Sequence, residues 1–341
     1  MDSIRNFLQE TLEKEKIAGM TVAVTDRKGL LFSEGFGVES IERPEVKTAP
    51  DALFRIASIS KVVTGMTILS LVEEGLLSLD EPVKKYLPWL TLRDKETEAG
   101  VTLGHLLSHT SGLPTEYTPD GPREESALEP SLRAGLPELD LLFPLGQGYN
   151  YSNWGIRLAS LVAETVTGRK FTRLAQERVL TPLGMTRTTY DLHVAATYPL
   201  SLPHVEENGE FHVCHRLQEN AARHAAGGLY SSAPDLCKLA RCLLNEGVAD
   251  DGTRILSRAS IEEMKVIRGK PENCDGYGIT LFRNTVDDRQ IYYHTGSAPP
   301  YATALVVHPE SGLGVVVLMN TERYPLRHGI PQMILNTLDP K

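Results

Sequence analysis

The stretch Ala57-Ser58-Ile59-Ser60-Lys61-Val62-Val63-Thr64-Gly65-Met66 opens an apolar helical run that continues to residue 74. Residues three apart share one face of a helix, so the spacing predicts that the Ser58 and Lys61 side chains meet at its first turn. A seryl hydroxyl attacks carbonyls poorly until a neighbour takes its proton. Lysine can do so when burial and nearby positive charge depress its pKa. The spacing alone is weak: with 20 serines and 13 lysines, about 0.8 occurrences of Ser-x-x-Lys are expected by chance, and one is found. Taken alone, the spacing reads better as a helix cap beside a solvated lysine.

The segments around this run determine the architecture. Helical spacing is seen at residues 2–17. Strand-like runs at 20–25 and 30–36 flank the turn Asp26-Arg27-Lys28-Gly29. Further strands are expected at 276–282, 290–294, 302–308 and 313–319, with a closing helix at 326–338. Between these ends, residues 61–74, 103–107, 156–167, 171–180 and 235–245 carry helical periodicity. The fold class predicted is α/β of the α+β type, an antiparallel sheet built from both chain ends and flanked by helices. Residues 1–60 plus 265–341 would form the sheet domain, and 61–264 an inserted, mostly helical domain. Residues 114–148, with six prolines and seven acidic residues, read as a long irregular loop, either a roof over a pocket or an idle solvated segment.

Two further motifs follow Ser-x-x-Lys in order. Tyr151-Ser152-Asn153 is the only Tyr-x-Asn in the chain, and His294-Thr295-Gly296, on a strand, is the only His-x-Gly. With these, and with Leu106-Leu107-Ser108-His109-Thr110-Ser111-Gly112-Leu113-Pro114, Pro182-Leu183-Gly184-Met185 and Ala226-Gly227-Gly228-Leu229-Tyr230-Ser231-Ser232, the chain resembles the serine β-lactamases and penicillin-binding proteins. The likeness is to the class C branch with its DD-peptidase and family VIII esterase relatives, and it covers nearly the whole chain.

The resemblance implies that Ser58 attacks a carbonyl while Lys61 and Tyr151 manage its proton. Tyr151 would protonate the leaving group and activate the deacylating water, which requires neighbouring positive charge to lower its pKa from ~10. Asn153 would hold a substrate amide or carbonyl. The backbone N–H groups of Ser58 and Ser297 would form the oxyanion hole, a feature contributing ~3 kcal/mol per donor. His294, Thr295 and Gly296 would border the substrate, with His294 where most β-lactamases have lysine, and Tyr301 could serve as a pocket wall.

The substrate class stays open. His294 in place of lysine weakens the grip on a β-lactam carboxylate, which favours an ester or small amide. A DD-peptidase, a D-amino-acid peptidase, a β-lactamase, an acyltransferase or a non-catalytic penicillin-binding sensor are the alternatives. A net charge of −9 disfavours nucleic acid and anionic membranes as partners. The N-terminus shows no leader pattern and no run reaches the ~20 apolar residues of a membrane span, so a cytoplasmic protein with free thiols is expected. No cofactor is implied. His105 and His109, four apart, form at most a weak metal motif, and no metal is expected.

Overall fold

The computed structural model describes residues 1–340 except 117 and 119. Strands β1 (Gly19–Thr25) and β2 (Leu30–Gly37) come from one end of the chain. β3 (Gly276–Tyr277), β4 (Phe282–Val286), β5 (Arg289–Ala298), β6 (Tyr301–His308) and β7 (Leu313–Met319) come from the other. They form one antiparallel sheet in the order β2-β1-β7-β6-β5-β4-β3. The two chain ends join where β1 pairs with β7, Val22 opposite Val317.

β1 and β7 are buried at every position, which explains why their sequences are almost continuously apolar. Met20, Val22, Val24, Val315, Val317 and Met319 project to one face, where they pack with Ile4 and Leu8 of α1 (Asp2–Lys14) and with Ile330 and Ile334 of the C-terminal helix. Ala23, Leu305, Val316 and Leu318 project to the other face and share a core with the helical region.

That region is built around α2 (Ser60–Glu73), buried at every position from Ser60 to Leu71. A helix apolar on all sides needs neighbours on all sides. They include α3 (Leu103–Leu107), α4 (Leu128–Gly135) and α5 (Asn153–Thr167), and α6 (Ala233–Leu244) lies against β1 and β7. The closing helix, α7, spans Leu326–Leu338.

Two expectations are corrected. The strand expected at 276–282 stops after Tyr277. There Ile279 N–H donates to Met264 O (3.0 Å) and Thr280 N–H to Leu107 O (3.1 Å), with Thr280 at φ +54°. These helix-ward bonds replace strand pairing, which resumes only in β4. Residues 114–148 are not one irregular loop, because they contain α4. Pro130 lies in its first turn, where a missing N–H costs nothing.

Candidate active site

Ser58 lies in a 3₁₀ turn, Ala57–Ile59, running directly into α2. Ala57 adopts φ +48°, a strained conformation for a residue with a Cβ that costs about 1–3 kcal/mol. The surroundings enforce it. Ile56 N–H donates to Leu229 O (2.9 Å), and Ile56 O accepts from Thr303 Oγ1 (3.0 Å). Ser60 Oγ donates to Ala57 O (2.6 Å) and accepts from Leu229 N (3.1 Å). Ser58 itself stays half-buried and accessible.

In a 3₁₀ turn side chains at i and i+3 eclipse, and Lys61 Nζ lies 3.1 Å from Ser58 Oγ. The same nitrogen is 2.5 Å from Ala226 O, and Lys61 has no exposed surface. Burial, assisted by the charge of Arg223, pushes its pKa well below 10.5. Lys61 Nζ thus donates to both Ala226 O and Ser58 Oγ.

The Tyr151 ring centroid is 4.8 Å from Lys61 Nζ. Burial raises the phenol pKa above its ordinary value. A hydrogen bond with Ser58 and the charges of Arg223 and Arg327 only partly offset that rise. Positive charge therefore acts on Tyr151 as expected, but burial outweighs it. At neutral pH the Tyr151 phenol therefore keeps its proton. Asn153, at the start of α5, spends its Nδ2 on Glu116 O (2.6 Å). Its Oδ1 is buried with no hydrogen-bond partner among the described residues. Glu116 is pinned by a buried ion pair with Arg157 at 2.7 Å.

β4 pairs with β5 only as far as Phe282 opposite Tyr293, so from His294 onward that edge of β5 is open to a ligand strand. His294 Nδ1 donates to Thr295 O (2.7 Å), which makes Nε2 the acceptor from Tyr277 Oη (3.3 Å). Burial and then Lys61 lower the His294 pKa to about 3, so the ring is neutral. Thr295 is half-buried, opposite Ala304. Gly296 lies against Ile56, which brings Ser297 beside the turn that carries Ser58. Ser297 Oγ donates to Tyr324 Oη (2.9 Å), and Arg327 Nη1 donates to Gly296 O (3.0 Å).

Tyr301 is not offered to this site. It is 3% exposed, packs edge-on to Phe54, and donates its hydroxyl to Ser201 O (2.7 Å). The two histidines of the weak metal motif are separately engaged. His105 forms a capping box with Thr102, while the His109 ring lies 4.4 Å from that of Tyr151 and accepts from Ser152 N (3.1 Å). His109, Tyr277, Arg223 and Arg327 were not anticipated as members of the site. His109 alone carried a signal, since it sits inside the 106–114 segment already singled out.

The architecture is that of the β-lactamase and penicillin-binding-protein folds. The beta-lactamase family model matches residues 4–336, and the chain belongs to that family. It is 29% identical over 284 residues to penicillin-binding protein 4 of Amycolatopsis lactamdurans, covering 81% of this chain and 74% of the relative. It is 26% identical over 325 residues to protein flp of Staphylococcus aureus strain N315, covering 93% of this chain but 62% of that longer relative. Among solved structures, the octameric penicillin-binding protein homologue from Pyrococcus abyssi superposes with a TM-score of 0.86 at 25% identity, covering 99% of this chain and 77% of that one. No helix among the described residues is long and apolar enough to cross a membrane.

Proposed function

We propose that the protein is a serine hydrolase that acts through an acyl-enzyme on an ester or small amide. The observation that carries this is the buried Lys61 amine 3.1 Å from Ser58 Oγ, with its pKa lowered and its N–H directed at Ala226 O. Ser58 Oγ forms the bond to the substrate carbonyl carbon as its proton passes to Lys61 Nζ. The oxyanion develops towards the backbone N–H groups of Ser58 and Ser297. On collapse, the leaving oxygen or nitrogen takes a proton from Tyr151, which Lys61 resupplies. Water then repeats the sequence in reverse, and carboxylic acid leaves Ser58 free.

A neutral His294 supports ester or amide over β-lactam turnover, because it lacks the fixed charge that a lysine would offer a β-lactam carboxylate from that position. The open edge of β5 supports a second reading, a peptidase whose extended substrate adds as a strand. Initial rates on p-nitrophenyl butyrate, a D-alanyl-D-alanine peptide and a chromogenic cephalosporin separate the two. Fastest kcat/KM on the ester is expected. Preference for the dipeptide terminus would install the peptidase reading, and fastest turnover of the cephalosporin would overturn both.

A further inference from the structure

A second cleft lies on the opposite face of the sheet from Ser58. Tyr293 and His294 are consecutive on β5, so one points away from the catalytic side as the other points into it. The cross-strand neighbours Asn284–Ile291 and Tyr293–Val306 form its floor. Its roof is a single stripe of α7, with His328, Pro331, Gln332, Leu335 and Asn336 at helical spacing. A helix stripe on a sheet normally packs without voids larger than a water. Here a cavity of about 370 Å³ remains, within the size range of small-molecule sites.

The lining chemistry is specific. Val306 and Leu335 are each 3% exposed, and Tyr293 is 7% exposed with its ring 5.6 Å from that of His328. Asn284, half-buried, makes no side-chain hydrogen bond among the described residues. Gln332 gives its N–H to Asp287 Oδ2 (2.8 Å), which leaves its carbonyl oxygen as an acceptor. The one cation at the floor, Arg289, is already held by Asn336 Oδ1 (2.9 Å) and the Asp339 carboxylate (3.5 Å). Burial and Arg327 keep His328 neutral.

We infer that this cleft is a second binding site, for a neutral small molecule with an aromatic or branched apolar body and a carboxamide head. The body lies on Tyr293, Ile291 and Val306. The head pairs its N–H with Gln332 and exchanges hydrogen bonds with the Asn284 amide. A carboxylate head is disfavoured because Arg289, the cation at the floor, is already engaged by Asn336 and Asp339.

Thermal unfolding with benzamide and cyclohexanecarboxamide tests this, with benzoate as the charged counterpart. Both amides raise the midpoint in a dose-dependent way, equally in the wild type and in Ser58→Ala, with benzoate at least ten-fold weaker. Ile291→Trp, which fills the floor, and Asn284→Leu, which removes the head's partner, each abolish the shift. The unliganded midpoint of each variant reports that it is folded. No shift at saturating amide, a shift that survives both substitutions, or equal binding of benzoate would overturn the assignment.

Discussion

Gly296 and Ile56 meet where the sheet abuts the turn that carries Ser58: a Cβ on residue 296 would stand 2.2 Å from Ile56 O and 2.1 Å from Thr303 Oγ1. The site depends on this closeness, because it sets β5 against the residues that hold Ala57 in its strained conformation.

Gly296→Ala therefore forces β5 and the 56–58 turn apart. Overpacking of this kind costs about 1–3 kcal/mol. The denaturation midpoint should fall accordingly, and kcat for ester hydrolysis should fall more than ten-fold as Ser58 and Ser297 separate. Unchanged kcat in a destabilised protein would mean that the contact serves folding alone.

Lys61 should set the acid limb of the pH–rate profile. Its folded pKa lies well below 10.5, so activity is present where the amine is neutral and is lost as pH falls through that depressed value. Lys61→Arg keeps a permanent cation and removes the base, so kcat/KM should drop by about 10²–10⁴ at every pH, without the limb. An unchanged limb in the arginine variant would assign it to another group.

His294 makes a stability prediction with a definite sign. Its folded pKa of about 3 lies below the ordinary 6.5, so between those values the unfolded chain binds a proton that the folded one does not, and stability falls on acidification. From pH 6.5 to 4.5 that amounts to about 2 kcal/mol from this residue. His294→Asn should reduce the acid-induced loss by about that amount in urea titrations at the two pH values. Parallel losses in both proteins would show that His294 titrates normally.

Much of this fold was legible because its signals are local. The apolar runs of β1 and β7, the span of α7 and the turns between strands follow from neighbouring residues alone. β4 was missed because Phe282-Arg283-Asn284-Thr285-Val286 has no fully buried side chain, leaving little hydrophobic pattern to read. Pro130 disguised α4. Ser58 and Lys61 are three apart, so one helical turn pairs them. His109, Tyr277, Arg223 and Arg327 reach the same place from four separate segments, and only tertiary packing reveals that. The reversal at Tyr151 has the same origin, since burial is a property of the assembled site.

The Glu116–Arg157 pair anchors the 114–116 segment on α5, with side chains 8% and 3% exposed. Glu116→Ala strands Arg157 as a buried charge and should cost about 3–5 kcal/mol. Glu116→Gln combined with Arg157→Met should recover most of it. If Glu116→Ala costs no more than the double variant, the pair carries no coupling.

The most direct test of Ser58 as the nucleophile is rapid-quench mass spectrometry of the protein mixed with p-nitrophenyl butyrate. A transient butyryl adduct on the peptide containing Ser58 is predicted, absent in a folded Ser58→Ala variant that no longer releases p-nitrophenol. Undiminished turnover in that variant, or an adduct on any other residue, would contradict the account.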